Sequence, residues 1–126
     1  KSSMNLYPDG TVMSASDTTN WPLFDGVPNY AYLKNNSKGW TKVWDSKAKV
    51  PYMVKGNYFL SYDDPQSIKE KADYVVLNGA GGVIVWQVFG DMEFSGAVTV
   101  APGGKLPKAT TVKTELLDAL YSNMNK

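Results

Sequence analysis

Residues 81–89 read Gly-Gly-Val-Ile-Val-Trp-Gln-Val-Phe, and this short run carries the strongest information about the fold. Within residues 83–89 only Gln87 is polar, whereas a strand with one face in water would alternate apolar and polar side chains. An uninterrupted apolar run is typical of a strand that is covered on both faces, as in the parallel sheets of α/β proteins. We therefore predict a buried parallel strand over residues 83–89.

This predicted strand has no evident partner in the sequence. Helical patterns precede and follow it, but no second run of the same kind occurs, so its neighbouring strands are expected in polypeptide outside this chain. The alternative is a central antiparallel strand of a small α+β domain, because periodicity alone does not classify short apolar runs.

Composition indicates one globular unit and excludes several classes of function. The chain has 126 residues, of which 43% are hydrophobic, and its net charge of +1 gives no reason to expect a nucleic-acid partner. Cysteine and histidine are both absent, which excludes thiol nucleophiles, the usual zinc sites and Ser-His-Asp catalysis. We predict no metal and no cofactor. Any catalysis would have to use carboxylates, Tyr or Lys.

The ends and apolar segments of the chain bear on its cellular context. No apolar segment approaches the roughly 20 residues of a membrane span, so no membrane partner is predicted. No secretory signal pattern opens the chain, and it starts with Lys1 rather than Met. We therefore expect a processed or excised piece of a longer protein.

The first half of the chain reads as loops and β-structure. Residues 1–36 are rich in turn-forming residues, with a short helix predicted over 28–35 because Pro28 suits a first helical turn. Strands are predicted over residues 41–44, 50–54 and 58–61. The last two form a hairpin around Lys55-Gly56-Asn57, where Gly can supply a positive φ.

The second half has an α/β pattern. A helix is predicted to begin at Pro65, with Asp64 accepting the free N–H groups of its first turn, and to end at Asn78-Gly79. Its inward residues are Ile68, Ala72, Val75 and Val76. A final helix is predicted from Thr111 or Thr114 to Asn123, with Val112, Leu116, Ala119 and Leu120 inward. A long loop over residues 91–108 lies between, and residues 86–93 are candidates for a ligand site because such sites follow strand ends.

The residues Tyr62, Asp63, Asp64, Ser67, Lys71, Gly81, Gly82, Trp86 and Asp91, with Val50-Pro51-Tyr52 upstream, form a set. This set resembles the closing motif of family 18 glycoside hydrolases, the chitinase family. The resemblance implies an α/β fold: the C-terminal part of a (β/α)8 TIM barrel with a small α+β chitinase insertion. Residues 1–61 would be the insertion region, and residues 62–126 the last helix-strand-helix segment of the barrel.

The resemblance also implies an activity. Family 18 enzymes hydrolyse chitin, the β-1,4-linked polymer of N-acetylglucosamine, with retention, and they use the substrate's own N-acetyl group as the nucleophile. Trp86 would be the apolar floor under the sugar at the cleavage point, since an indole offers a large oriented apolar face. The predicted substrate-binding residues are Trp86, Tyr32, Gln87 and Asp91. The protein would be secreted. Without the surrounding motif, Trp86 would be interpreted as a core residue.

One part of the family's motif is absent. The catalytic acid ends an Asp-x-x-Asp-x-Asp-x-Glu motif on an earlier strand, and this spacing does not occur in the chain. We therefore assign no catalytic residue and expect the isolated chain to be inactive without the remaining N-terminal part of the barrel, from the same or a separate chain. The alternative is a non-catalytic, chitin-binding chitinase-like module.

Other candidate residues have simpler structural interpretations. Asp63 and Asp64 could form an acid pair or a metal site, but helix capping and loop hydrogen bonds explain them better. Asp91 and Glu93 are expected to order the rim of the site. The aromatic residues Trp21, Trp40, Trp44, Tyr30 and Tyr32 are expected mainly to pack the insertion, with one of them touching the ligand.

Overall fold

The computed structural model describes residues 5–6, 12–14, 18–21, 28–96 and 111–126. Most of the loops and short strands expected over residues 1–27 lie outside these ranges. The same holds for residues 97–110, which include most of the predicted long loop.

The first half contains a five-stranded antiparallel sheet made of β1 (Asn5–Leu6), β2 (Val12–Ser14), β3 (Thr41–Asp45), β4 (Val50–Lys55) and β5 (Tyr58–Ser61). The strand order in this sheet is β2-β1-β5-β4-β3. The prediction of β3, β4 and β5 is confirmed to within one residue. Lys55 pairs with Tyr58, so the hairpin loop has two residues rather than the three predicted, and Gly56 supplies its positive φ of 56°.

Helix α1 (Tyr30–Asn36) contributes to the core on this sheet. Leu33 is buried together with Met53, Leu60 and Trp21. The helix starts two residues later than predicted. The reason is the cap: the side chain of Asn29 accepts a hydrogen bond from the Tyr32 N–H at 2.9 Å, and Pro28 precedes this cap.

Helix α2 (Pro65–Leu77) follows the sheet, with the ends that its sequence predicted. Asp64 and Ser67 form a capping box, and Gly79 closes the helix with a φ of 61°. Ala72 is buried and Ile68 is half-buried. Val76 was predicted to face inward, and this was wrong, because it is 51% exposed.

The predicted strand over residues 83–89 is not present as such. Residues 83–86, hereafter the apolar segment, belong to no helix or strand, and no described strand pairs with them. The alternative of a paired antiparallel strand is therefore also wrong for the described part of the chain. Val88–Asp91 form a 3-10 helix, in which the Gly90 N–H donates to the Gln87 carbonyl at 3.2 Å. Ile84 is 97% exposed, so in this chain the segment is uncovered.

The end of the chain contains a second, two-stranded sheet. β6 (Met92–Ser95) pairs with β7 (Thr111–Thr114), so the predicted loop over residues 91–108 begins with a strand. Val112 lies in β7 and not in a helix, since the β-branched residues of this stretch favour a strand. Helix α3 (Glu115–Met124) then packs against α2.

Candidate functional site

An open cleft of about 390 Å³ lies among α2, α3, the start of α1 and the apolar segment. The residues that line it include Tyr30, Ile68, Val85, Trp86, Gln87 and Leu117. The capped start of α2 and the packing of α3 against α2 hold the helical walls in place. The apolar segment forms the remaining wall and ends at Trp86.

Trp86 and Gln87 lie together where the apolar segment meets the 3-10 helix. The indole of Trp86 is 77% exposed, although tryptophan is usually well buried, and the Trp86–Gln87 peptide bond is cis. Gln87 is also exposed and accepts the hydrogen bond that starts the 3-10 turn. Both predicted site residues therefore present accessible side chains beside the cleft. An exposed indole next to an amide can pack against a sugar ring and bind its hydroxyl groups.

Asp91 is 6% exposed and holds the start of α3. Its two carboxylate oxygens accept hydrogen bonds from the N–H groups of Leu116 and Leu117, at 3.0 and 2.9 Å. These groups would otherwise have no partner in the helix. Burial raises the pKa of Asp91, and the two backbone hydrogen bonds oppose this shift. Asp91 lines the cleft, but its contacts show a structural role at the junction of the 3-10 helix and α3.

Tyr32 lies away from the other three predicted site residues. It packs against the buried core on the five-stranded sheet, with its ring nearly perpendicular to that of Trp21 at a centroid distance of 6.2 Å. Tyr30 lines the cleft instead. Residues two apart on a helix lie on nearly opposite sides, so only one of this pair can face the cleft. The Asn29 cap sets where α1 starts, but it does not determine which side of the helix faces the cleft, so no local signal distinguished Tyr30 from Tyr32.

A group of four polar side chains, which we call the polar cluster, connects three elements beside the cleft. It consists of Tyr30, Lys34, Glu93 and Glu115. Lys34 Nζ donates to Glu93 Oε1 and to Glu115 Oε1, the latter at 2.7 Å, and the Tyr30 hydroxyl donates to Glu115 Oε2 at 2.9 Å. The Lys34 ammonium lowers the pKa of both carboxyls, whereas burial and the bond to Glu115 raise that of Tyr30.

Sequence reasoning missed this cluster. Tyr30 and Lys34 are one helical turn apart, but their partners lie 59 to 85 positions away. Glu93 was expected only to order the rim. The structure gives it a specific partner on α1.

The adjacent acids at the start of α2 are structural, as the sequence predicted. Asp64 accepts from the Ser67 N–H at 2.8 Å, and Asp63 accepts from Lys71 at 2.7 Å and from the Ser67 hydroxyl. Within the described ranges, no group of three or more acidic side chains is arranged to hold a metal ion. None of the described helices has the length and hydrophobicity needed to span a bilayer.

The sequence profile of Glycosyl hydrolases family 18 matches residues 5–91, which is more than half of the chain. The chain belongs to this family. The match ends at Asp91, so it includes Trp86 and Gln87, and the predicted resemblance is confirmed.

The proteins that this family 18 chain is similar to include chitinases and a pseudo-chitinase. A probable endochitinase of Caenorhabditis elegans is 34% identical over 108 residues, which are 85% of this chain and 17% of the relative. The crystal structure of an immunomodulatory active chitinase from Trichuris suis matches 71% of this chain and 27% of its own, with 28% identity and a TM-score of 0.58. Human YKL-39, described as a pseudo-chitinase with retained chitooligosaccharide binding, matches 71% of this chain and 26% of its own, with 25% identity and a TM-score of 0.58.

The chain thus spans 17 to 27% of the length of these three relatives. Family membership and likeness to chitinase structures are established.

Proposed function

We propose that this family 18 chain is the C-terminal portion of a chitinase that hydrolyses chitin or chito-oligosaccharides by substrate-assisted, retaining catalysis. The observation that carries the proposal is the family match over residues 5–91, which ends in a segment that presents an exposed Trp86. We also propose that the complete protein is secreted, as the membership of the chitinase family implies.

The apolar segment is the eighth strand of a (β/α)8 barrel in this proposal. Residues 1–61 are the insertion, residues 62–126 are the last helix-strand-helix segment, and α3 is the final helix. The exposure of Val83, Ile84 and Val85 supports this assignment, since covering a fully exposed side chain such as Ile84 contributes about 1.5–3 kcal/mol and covering the half-exposed valines contributes less. The remaining N-terminal part of the barrel, in the same or a separate chain, supplies the two neighbouring strands.

The site residues divide by role. Trp86 lies under the sugar ring, with Gln87 beside it as a hydrogen-bonding partner. Asp91 keeps α3 against the 3-10 helix and so supports the wall of the site. Tyr32 contributes through the packing of α1, and Tyr30 is the aromatic side chain of the insertion that reaches the cleft.

The general acid comes from the part of the barrel outside this sequence, because the Asp-x-x-Asp-x-Asp-x-Glu motif is absent here. The test compares the 126-residue chain with the complete protein that contains it, using a chromogenic chito-oligosaccharide. We expect turnover by the complete protein and none by the isolated chain. Turnover by the purified chain would contradict the proposal, as would a complete protein that neither binds nor cleaves chito-oligosaccharides.

A non-catalytic chitin-binding protein is the second candidate. It is favoured by the similarity to human YKL-39, which is described as binding chitooligosaccharides without being a true chitinase. The two candidates predict the same Trp86 contact and differ only in the acid on the earlier strand. Binding of chito-oligosaccharide by the complete protein without hydrolysis would select this candidate.

A further inference from the structure

The polar cluster ties the insertion to the segment that follows Trp86. Lys34 and Tyr30 are on α1, whereas Glu93 is in β6 and Glu115 is the first residue of α3. Asn35 adds a second contact from α1, from its Nδ2 to Glu93 Oε2 at 3.0 Å. Helix α1 is therefore fastened to β6 and to α3, two of the three elements that follow the 3-10 helix.

Helix α1 also touches the 3-10 helix directly. A Cβ on Gly90 would lie 3.2 Å from the Cβ of Asn29, so the cap of α1 and the 3-10 helix are in close contact. Gly90 in turn donates its N–H to Gln87. The short path from α1 to the Trp86–Gln87 turn thus consists of one packing contact and one hydrogen bond.

We propose that Lys34 is a positioning residue for the saccharide site. By holding Glu93 and Glu115 against α1, it fixes the 3-10 helix and so sets the position of Trp86 and Gln87. This inference rests on the proposed function. Lys34 itself does not contact the sugar in this arrangement.

Charge explains why Lys34 is the critical member of the cluster. It is the cation that lies between two carboxylates, and its side chain is 24% exposed, so solvent screens it less than a surface lysine. Desolvation would lower the pKa of Lys34, but its hydrogen bonds to Glu115 and Glu93 outweigh this effect and raise it. Without Lys34, two like charges would face each other beside α1 and would move apart.

The experiment uses the complete protein with Lys34→Met, Lys34→Arg and, as a matched control, Lys69→Met. Lys69 pairs with Asp73 on the surface of α2, so its loss removes an ion pair that joins no two elements. Two quantities are measured: amide hydrogen exchange at Gly90, Leu116 and Leu117 without sugar, and the Kd for chito-oligosaccharide by titration calorimetry.

For Lys34→Met we expect faster exchange at these amides and a Kd about 3- to 30-fold weaker. Lys34→Arg should restore both values, because arginine can bridge two carboxylates. Lys69→Met should change neither. A purely structural role would lower the Tm of Lys34→Met and leave the Kd of the folded protein unchanged, and this result would overturn the inference.

The two proposals fail in different ways. Unmodified protein that binds no chito-oligosaccharide would reject the proposed function. If the unmodified protein binds the sugar, and Lys34→Met leaves amide exchange and the Kd unchanged, only the positioning role is rejected.

Discussion

Trp86 differs from Trp21 in its surroundings, although both are large apolar residues. Trp21 is buried in the core on the five-stranded sheet and stacks on Trp40 at 5.4 Å, whereas Trp86 is exposed beside the cleft. In the sequence, the two were distinguished only by the motif around Trp86, because a Trp in an apolar run is usually core. Stacking on a sugar ring requires an accessible indole face, and the motif around Trp86, rather than exposure alone, distinguishes it from the other exposed residues 83–85.

Replacing Trp86 with Ala in the complete protein should weaken chito-oligosaccharide binding and lower kcat/KM by about 10- to 100-fold. The reason is the loss of about 1.5–3 kcal/mol of apolar contact between the indole and the sugar. Tyr121→Ala is the control, since Tyr121 is comparably exposed at 72% but lies on α3 outside the residues that line the cleft. Equal kinetics of the two variants would remove Trp86 from the site.

Asp91→Ala should destabilise the protein by about 0.5–2 kcal/mol, the range for the loss of a helix cap. The substitution leaves the Leu116 and Leu117 N–H groups without their acceptor at the start of α3. Urea unfolding of the complete protein measures the effect. Asp118→Ala is the control, because Asp118 lies in the same helical turn but is exposed. The capping role would be contradicted if Asp91→Ala lowered the free energy of unfolding no more than Asp118→Ala does.

The residue-level predictions that succeeded depend on local chemistry. Asp64 and Ser67 cap α2 from positions three apart, so the chain needs no tertiary information to specify that contact. Lys34, Glu93 and Glu115 show the opposite case. Each is an ordinary surface charge in the sequence, and only the fold selects which of the 12 acidic residues meets Lys34.

At the scale of elements, α2 and β3–β5 are specified by local sequence, whereas the other elements depend on contacts between distant segments. Caps, turn glycines and alternating side chains specified these elements with nearly correct ends. The pairing of β6 with β7 joins segments separated by residues 96–110, and no local signal indicates it. The 3-10 helix was missed because Val88 and Phe89 continue the apolar run, while Gly90 turns the backbone.

The contact between α1 and the end of the chain should be sensitive to acid. Lys34 holds the pKa of Glu93 and of Glu115 below their ordinary value of 4.5, with help from Asn35 on Glu93 and from Tyr30 and Lys113 on Glu115. A carboxyl with a lowered folded pKa contributes stability above its unfolded pKa and loses it as the pH falls through the folded pKa.

We therefore expect the free energy of unfolding to fall as the pH drops below about 4.5, and to fall less steeply in Lys34→Met. Urea unfolding of both proteins between about pH 3 and 6 measures the slopes. Lys69→Met is the control, because it removes the exposed ion pair between Lys69 and Asp73 on α2. The expectation would be contradicted if the slope of unfolding free energy against pH changed no more in Lys34→Met than in Lys69→Met, each compared with the unmodified protein.

The whole molecule has two unequal parts. The described residues up to β5 have a buried centre in Trp21, Leu33, Met53 and Leu60. The described residues after β5 bury Ala72 but leave Val83, Ile84 and Val85 exposed. These exposed apolar side chains support the proposal that the chain is part of a larger folded unit.

The difference between the unpaired apolar segment and the paired strands of the sheet predicts which amides the rest of the protein would protect from hydrogen exchange. In the isolated chain, the amides of residues 83–85 should exchange within seconds, because no described strand pairs with them. In the complete protein, the two neighbouring barrel strands should slow them by several orders of magnitude, while Met53 and Leu60, already paired within the sheet, should change little. Hydrogen exchange followed by mass spectrometry on both proteins provides the comparison. Equal protection of residues 83–85 in the two would mean that the apolar segment receives no strand partner, and the barrel assignment would fall with it.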